Sequence, residues 1–302
     1  MQFYLMLTLL FYAGIVLLLN LFKTKVLNGI DSRHLAFGFR QKSNQLSAGY
    51  STAMSGRFDE VIFRIIEKCI LLGLIATTPI FSKFYVNDQS VSNVLIGVSG
   101  NLGAILVLLS LGQLLLGIGH MARETIWSTR IEIFRELIVT MILLFLSFTL
   151  LMIGHKSPEL NNIILAQSEV VWGKYKIWSV LVFPFSFLSM ILVFKRIVWL
   201  FSRSVMKLIF LAWYAVFISL IFLGGINAFS AFNFVLTLMP KMLPVVEIIS
   251  IMFRSLVVGA LLFFSSGFLA QFNASNSEKK IKKYLIPIYV VNLALLILKD
   301  YV

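Results

Sequence analysis

Long apolar stretches alternate with short polar connections along the whole chain. Eight such stretches run over about 2–22, 62–84, 94–120, 133–154, 177–199, 206–228, 242–269 and 283–299. Their lengths lie near the ~20 apolar residues that a helix needs to cross a bilayer. Backbone N–H and C=O groups in lipid must bond within their own segment, which makes these stretches helices. No alternating strand pattern runs through them, so a barrel is not expected. The pattern predicts an all-α, polytopic membrane protein of about eight transmembrane helices, forming one domain over 1–302. No internal repeat is visible, which argues against an inverted-repeat transporter. The first stretch begins at Gln2 without a basic lead or a small-residue cleavage site, so a retained helix is expected rather than a signal peptide.

Polar connections then orient the spans. Those after the first, third, fifth and seventh are basic, whereas those after the second, fourth and sixth are poor in Lys and Arg or balanced in sign. Loops enriched in Lys and Arg lie on the cytoplasmic or matrix side, which puts both termini outside. The first inside loop, 23–60, is long and basic, with Lys23, Lys25, Arg33, Arg40, Lys42 and Arg57. Its run QKSNQLSAGYSTAMSG is rich in Ser, Gly and Gln, which suits either a flexible connector or a docking and ligand-facing segment. The second outside loop, about 155–176, mixes both signs and is expected to be a solvated cap. Pro184 falls within the fifth span and Pro244 near the start of the seventh.

Composition narrows the function classes. A chain that is 59% hydrophobic and 13% charged is not a soluble domain of ordinary composition. Its net charge of +13 is accounted for by inside loops and their contact with anionic headgroups, so no nucleic-acid partner is expected. The one cysteine, Cys69, excludes an intrachain disulfide and a multi-thiolate metal site. His34, His120 and His155 lie in or near three different loops, so no metal site is expected. Nucleophile–base pairs, phosphate loops and dinucleotide fingerprints are absent, and no catalytic residue is assigned to this chain.

Ionisable residues inside spans are costly and mark functional candidates. Arg64, Glu67 and Lys68 open the second span, with Arg64 and Glu67 on one helix face. A snorkelling interfacial cluster is the plainer reading of this group. From His120 to Glu136 the run HMARETIWSTRIEIFRE alternates in sign through Arg123, Glu124, Arg130, Glu132, Arg135 and Glu136. It is either a salt-bridged helix start or the mouth of a proton path. Glu247 and Arg254 share a face of the seventh span, and Arg254 lies deep enough to need a partner in the bundle or on another subunit. Lys195, Arg196, Arg203 and Lys207 flank the connection between the fifth and sixth spans, and Lys279, Lys280, Lys282 and Lys283 precede the eighth. Both sets read as positive-inside anchors.

Several segments also follow a known order. KTKVLNGIDSR, from Lys23 to Arg33, keeps Lys25, Val26, Leu27 and Arg33 of a Glu-Arg-Lys-Val-Leu-Gly-like run and its Gln-x-Arg. Ala122 to Glu132 looks like Leu-Arg-Ala-Ala-Ala-Gln-x-x-Ser-Tyr-Glu, with Arg123 and Glu132 at the same spacing. Phe222-Leu223-Gly224-Gly225 is similar to a Phe-Leu-Gly-Gly at the end of a sixth helix. Phe272, the KYLIP run from Lys283 to Pro287, and Asn292 match an Arg-Phe, a basic-aromatic step, Leu-Ile-Pro and a following Asn. In this order and spacing the chain resembles subunit 1 of respiratory complex I and the related membrane subunit of energy-converting hydrogenases.

That resemblance implies a membrane subunit of a proton-translocating, NADH:quinone oxidoreductase-type assembly in an energy-converting inner membrane, bacterial or mitochondrial. It would link a peripheral iron–sulfur module to antiporter-like membrane subunits. Glu132 first, then Glu67, Glu136 and Glu124, are the implied proton-path residues, while Arg33, Lys25, Arg123, Arg130, Arg254 and Lys283 would contact loops or partners. The departures bear on quinone, the one ligand the resemblance brings. Lys23 and Asp31 replace a glutamate and a glutamine of the first loop, and Lys207 falls where helix six opens with a glutamate. The Gly-Pro pairs of the first loop are missing, and the acidic loop between helices five and six is reduced to about Phe194–Lys207. Two versions follow: a quinone-site subunit whose acidic loop is supplied elsewhere, or a paralogue in an ion-translocating complex without quinone chemistry. An independent membrane transporter is the rival from another class.

Overall fold

A computed structural model describes residues 10–20, 56–77, 101–123, 127–160, 162–163, 171–172, 175–176, 182–201, 204–223, 243–269 and 281–299. The described residues are almost all helical, with one small hairpin and one isolated bridge. Helices α1 (Leu10–Asn20), α2 (Gly56–Ala76), α3 (Leu102–Arg123) and α4 (Trp127–His155) come first. Strands β1 (Val171–Trp172) and β2 (Tyr175–Lys176) pair antiparallel, with Val171 opposite Lys176. Helices α5 (Pro184–Leu200), α6 (Ser204–Phe222) and α7 (Leu243–Leu269) follow, and a π-helical turn at Ile281–Leu285 leads into α8 (Ile286–Lys299).

Three helices among the described residues are long and apolar enough to cross a membrane: Leu102–Ala122, Trp127–His155 and Val205–Phe222. Leu10–Asn20, Ile248–Leu262 and Lys283–Ile297 are shorter apolar helical segments. Each of the eight predicted stretches overlaps a described helix, but the ends move. The fourth begins at Trp127 rather than 133, so Arg130, Glu132 and Glu136 are already helical. The fifth begins at Pro184, which stands at the first helical position instead of inside a span. Proline is favoured there because its missing N–H has no intrahelical partner to lose. Helix α2 starts at Gly56, inside the segment predicted as loop 23–60. The rest of that loop lies outside the described residues.

Helix α6 occupies the centre, packed against α5, α7 and α2. Its side chains are buried almost all round, and Phe210, Trp213, Tyr214 and Phe217 form a continuous aromatic stack. Helix α3 lies between α2 and α4. It carries glycines where both neighbours approach. A Cβ at Gly117 would sit 2.4 Å from Leu137 Cδ1, and one at Gly119 would sit 2.6 Å from Phe63 Cε2. Small residues are how membrane helices come close enough for dispersion contacts to accumulate.

Local caps fix one shared end of α3 and α4. The Asn101 side chain accepts from Gly103 N–H at 2.7 Å, which satisfies a donor at the start of α3. Lys156, just after α4, adopts the left-handed backbone (φ 53°) that commonly closes a helix. Leu102 N–H then donates to Pro158 C=O at 2.8 Å, beside an Asn101–Glu159 bridge.

Polar side chains stitch the apolar bundle. Gln113 donates to the Leu137 carbonyl (3.0 Å) between α3 and α4, and Tyr214 donates to the Met190 carbonyl (2.7 Å) between α6 and α5. Ser147 of α4 bonds Ser189 of α5, and Ser186 donates to the Ser147 carbonyl at 3.1 Å. Ser219 and Ser255 meet at 3.1 Å between α6 and α7. In a lipid setting such bonds join helices that hydrophobicity alone does not sort.

Candidate functional site

The first residues of α4 and the last turns of α5 meet at one end of the bundle. Glu136 lies nine residues into α4, which at 1.5 Å per residue is ~14 Å from its start. Arg196 is one turn before the end of α5. Its Nε donates to Glu136 Oε2 at 3.1 Å, with side-chain exposures of 15% for Arg196 and 30% for Glu136.

The same end of α5 has a second polar anchor. His120, near the end of α3, places Nε2 2.7 Å from the Leu200 carbonyl. That carbonyl belongs to the last turn, whose C=O groups lack intrahelical donors. A carbonyl only accepts, so Nε2 carries the proton in this contact. The imidazole is set edge-on to Phe63 of α2, with ring centroids 5.6 Å apart. The close approach at Gly119 puts Phe63 there.

One turn beyond Phe63 on the same face of α2 is Glu67, which is fully buried. It belongs to the stripe Phe63, Glu67, Leu71 and Leu74, whose spacing of four, four and three marks the bundle-facing side. Glu67 is thus not an interfacial snorkelling group. Lys68, the next residue, is exposed, and Arg64 is half-buried. Four helices thus each contribute an ionisable group to this part of the bundle: Glu67, buried one turn from Phe63; His120, touching Phe63 and the end of α5; and the Glu136–Arg196 pair one turn before that end.

The other residues singled out in the sequence lie elsewhere. Glu132 is exposed on α4, one turn from Glu136, whereas Arg130 is half-buried. Arg254 is 6% exposed in the middle of α7, near the buried Ser250 and Ser255 in sequence. Lys283 is exposed on the π-helical turn, with Nζ 5.6 Å from the centre of the Tyr284 ring. Arg123 ends α3, and its side chain lies outside the described residues, as do Glu124, Lys25 and Arg33.

Sequence reasoning missed Arg196 and His120 as members of this site. Arg196 was read as a topological anchor, yet it stands inside an apolar run only four residues from its end. His120 was weighed only as a metal ligand. Its cue is position: a donor side chain at the end of one helix beside the open carbonyls of another.

Known proteins add no assignment: the chain matches no family model and no curated sequence.

Proposed function

We propose that this chain is a membrane-embedded subunit of a complex I-like, proton-translocating respiratory assembly, linking a peripheral redox arm to a membrane ion-pumping arm. In this reading it crosses the membrane eight times, with its basic loops on the cytoplasmic or matrix side of an energy-converting membrane. The observation that carries the proposal is a set of ionisable groups held inside the helical bundle: the fully buried Glu67, the Glu136–Arg196 pair, and His120 bonded to the Leu200 carbonyl. Ionisable groups set among membrane helices are retained where ions or protons are handled. Three long apolar helices and the order of the sequence motifs support the same reading.

Glu136 and Glu67 replace Glu132 as the leading proton-path residues, because Glu132 is exposed and those two are set into the bundle. Arg33, Lys25, Arg123 and Glu124 keep their proposed loop and path roles from sequence alone. Both versions of the hypothesis have the chamber-lining loop missing from this chain, and the helix bounds agree with that. Helix α5 ends at Leu200 and α6 begins at Ser204, so nothing longer than residues 201–203 joins them. An acidic chamber-lining loop has no room there.

The test is purification of the full chain from its own membranes in mild detergent. Recovery with antiporter-like and iron–sulfur subunits is the expected result. A stable isolated monomer or homo-oligomer would sink the subunit reading and leave the transporter alternative. In the recovered complex, Glu136→Gln should reduce proton translocation while subunit composition stays constant; full translocation by Glu136→Gln and by Glu67→Gln would remove the proposed path.

A further inference from the structure

We infer that the outer face of α8 and the turn before it form a binding site for one anionic phospholipid, with Lys283 and Tyr284 at its headgroup. Helix α8 touches the bundle along a narrow stripe. Leu285, Asn292 and Leu296 are buried, and Tyr289 stacks edge-on against Phe185 at 4.9 Å. Ile286, Val290, Val291, Leu295 and Ile297 are each half or more exposed. From Ile286 to Leu295 this open face runs nine residues, or ~14 Å. That length equals one leaflet of a ~30 Å hydrocarbon core, the span of a single acyl chain.

Direction is fixed by two contacts. Tyr289 meets Phe185, and Asn292 Nδ2 donates to the Val182 carbonyl at 2.7 Å. Rising numbers on α8 thus meet falling numbers at the start of α5, so the two helices run antiparallel. The Lys283 end of α8 consequently points toward the end of α5 that carries Arg196. The apolar face and the basic head lie in the order that a phospholipid in one leaflet requires.

The chemistry of the head is specific. Lys283 and Tyr284 are both exposed, and the ammonium lies 5.6 Å from the ring centre. Lys279, Lys280 and Lys282 adjoin them in sequence. Helix stability does not call for cations here, because the positive end of the helix dipole disfavours them. Topology needs basic residues only somewhere in the connection. It does not need one on the helical turn itself, held beside an aromatic ring of the kind that settles at headgroup level. An anionic phosphodiester accounts for both. This inference rests on the chain being membrane-embedded and not on its partners, so it stands or falls apart from the respiratory reading.

The experiment uses the full chain exchanged into mixed micelles of phosphatidylglycerol and phosphatidylcholine at equal mole fraction, with retained lipid counted by native mass spectrometry. Wild type should retain phosphatidylglycerol preferentially. Lys283→Gln should lower that preference about fivefold, the size expected for one lysine near a membrane surface, and Lys283→Arg should keep it. Added inorganic phosphate should not displace the lipid. Equal retention of the two lipids by wild type, as a second copy or a partner helix on this face would give, overturns the inference. So does an unchanged preference in Lys283→Gln, or displacement by inorganic phosphate.

Discussion

Gly117→Ala tests whether close approach at α3 is what holds α3 and α4 together. The added Cβ would lie 2.4 Å from Leu137 Cδ1, 2.6 Å from Cδ2 and 3.0 Å from Cγ. Two methyl ends could swing aside in an open site. Leu137 is only 4% exposed, and the short distance to Cγ means that rotating the methyls is not enough. Either the side chain leaves its rotamer or α3 withdraws from α4. Withdrawal would stretch the bond from Gln113 to the Leu137 carbonyl, now 3.0 Å, inside a buried interface. Overpacking of this kind costs ~1–3 kcal/mol. Leu137→Ala removes the obstruction at its own cost of ~2–5 kcal/mol, less where the site can collapse. Adding Gly117→Ala to Leu137→Ala should then be close to neutral, because the new methyl enters the vacated space. The double-mutant cycle should show a favourable coupling of ~1–3 kcal/mol, the overpacking cost that Leu137→Ala relieves. Reversible unfolding in mixed micelles, followed by far-UV circular dichroism, supplies the four stabilities. A Gly117→Ala protein as stable as wild type would refute the reasoning. An equal cost with and without Leu137 would place the clash somewhere else.

Two further outcomes are expected. Glu136→Gln and Arg196→Gln should each destabilise more than the double replacement, with a coupling of about 1 kcal/mol for this partly exposed pair, read from the same unfolding cycle. Additive losses would mean that the 3.1 Å contact contributes nothing. Ser219 also donates to the Val216 carbonyl at 2.8 Å, which leaves Ser255 as donor in the interhelical contact; Ser255→Ala should cost ~0.6 kcal/mol, and adding it to Ser219→Ala should cost nothing more, whereas additive losses would show that Ser255 bonds elsewhere.

Much of the helical order was legible in the sequence because lipid leaves the backbone few options. The ends were not. Charged residues of 127–132 broke the apolar run, so the fourth span was drawn from 133, although a helix continues through charge once its backbone bonds are cooperative. Pro184 was placed inside a span because the apolar run continues on both sides of it. The site was legible only in part. The alternating segment of His120 to Glu136 did mark the right end of the bundle, but periodicity within one helix could not say which of Glu132 and Glu136 faces α5. Glu132 and Glu136 share a face one turn apart, so the carboxyl that pairs was decided by which turn of α4 lies level with Arg196 of α5. Arg196 and His120 were hidden for a related reason: their partners lie on other helices, at separations of 60 and 80 residues.

The bonded join between the start of α3 and the end of α4 bears on how the protein is made. Leu102 N–H and the Pro158 carbonyl close a helical hairpin over 102–158, and its arms are two of the three helices among the described residues that are long and apolar enough to cross a bilayer. Such a hairpin can leave the insertion machinery as a finished unit before α5 to α8 have been translated. It then offers the later segments, with the charges they carry, a protein surface to enter against. The Arg of α5 would meet a carboxylate already waiting for it and need never be exposed to bare lipid.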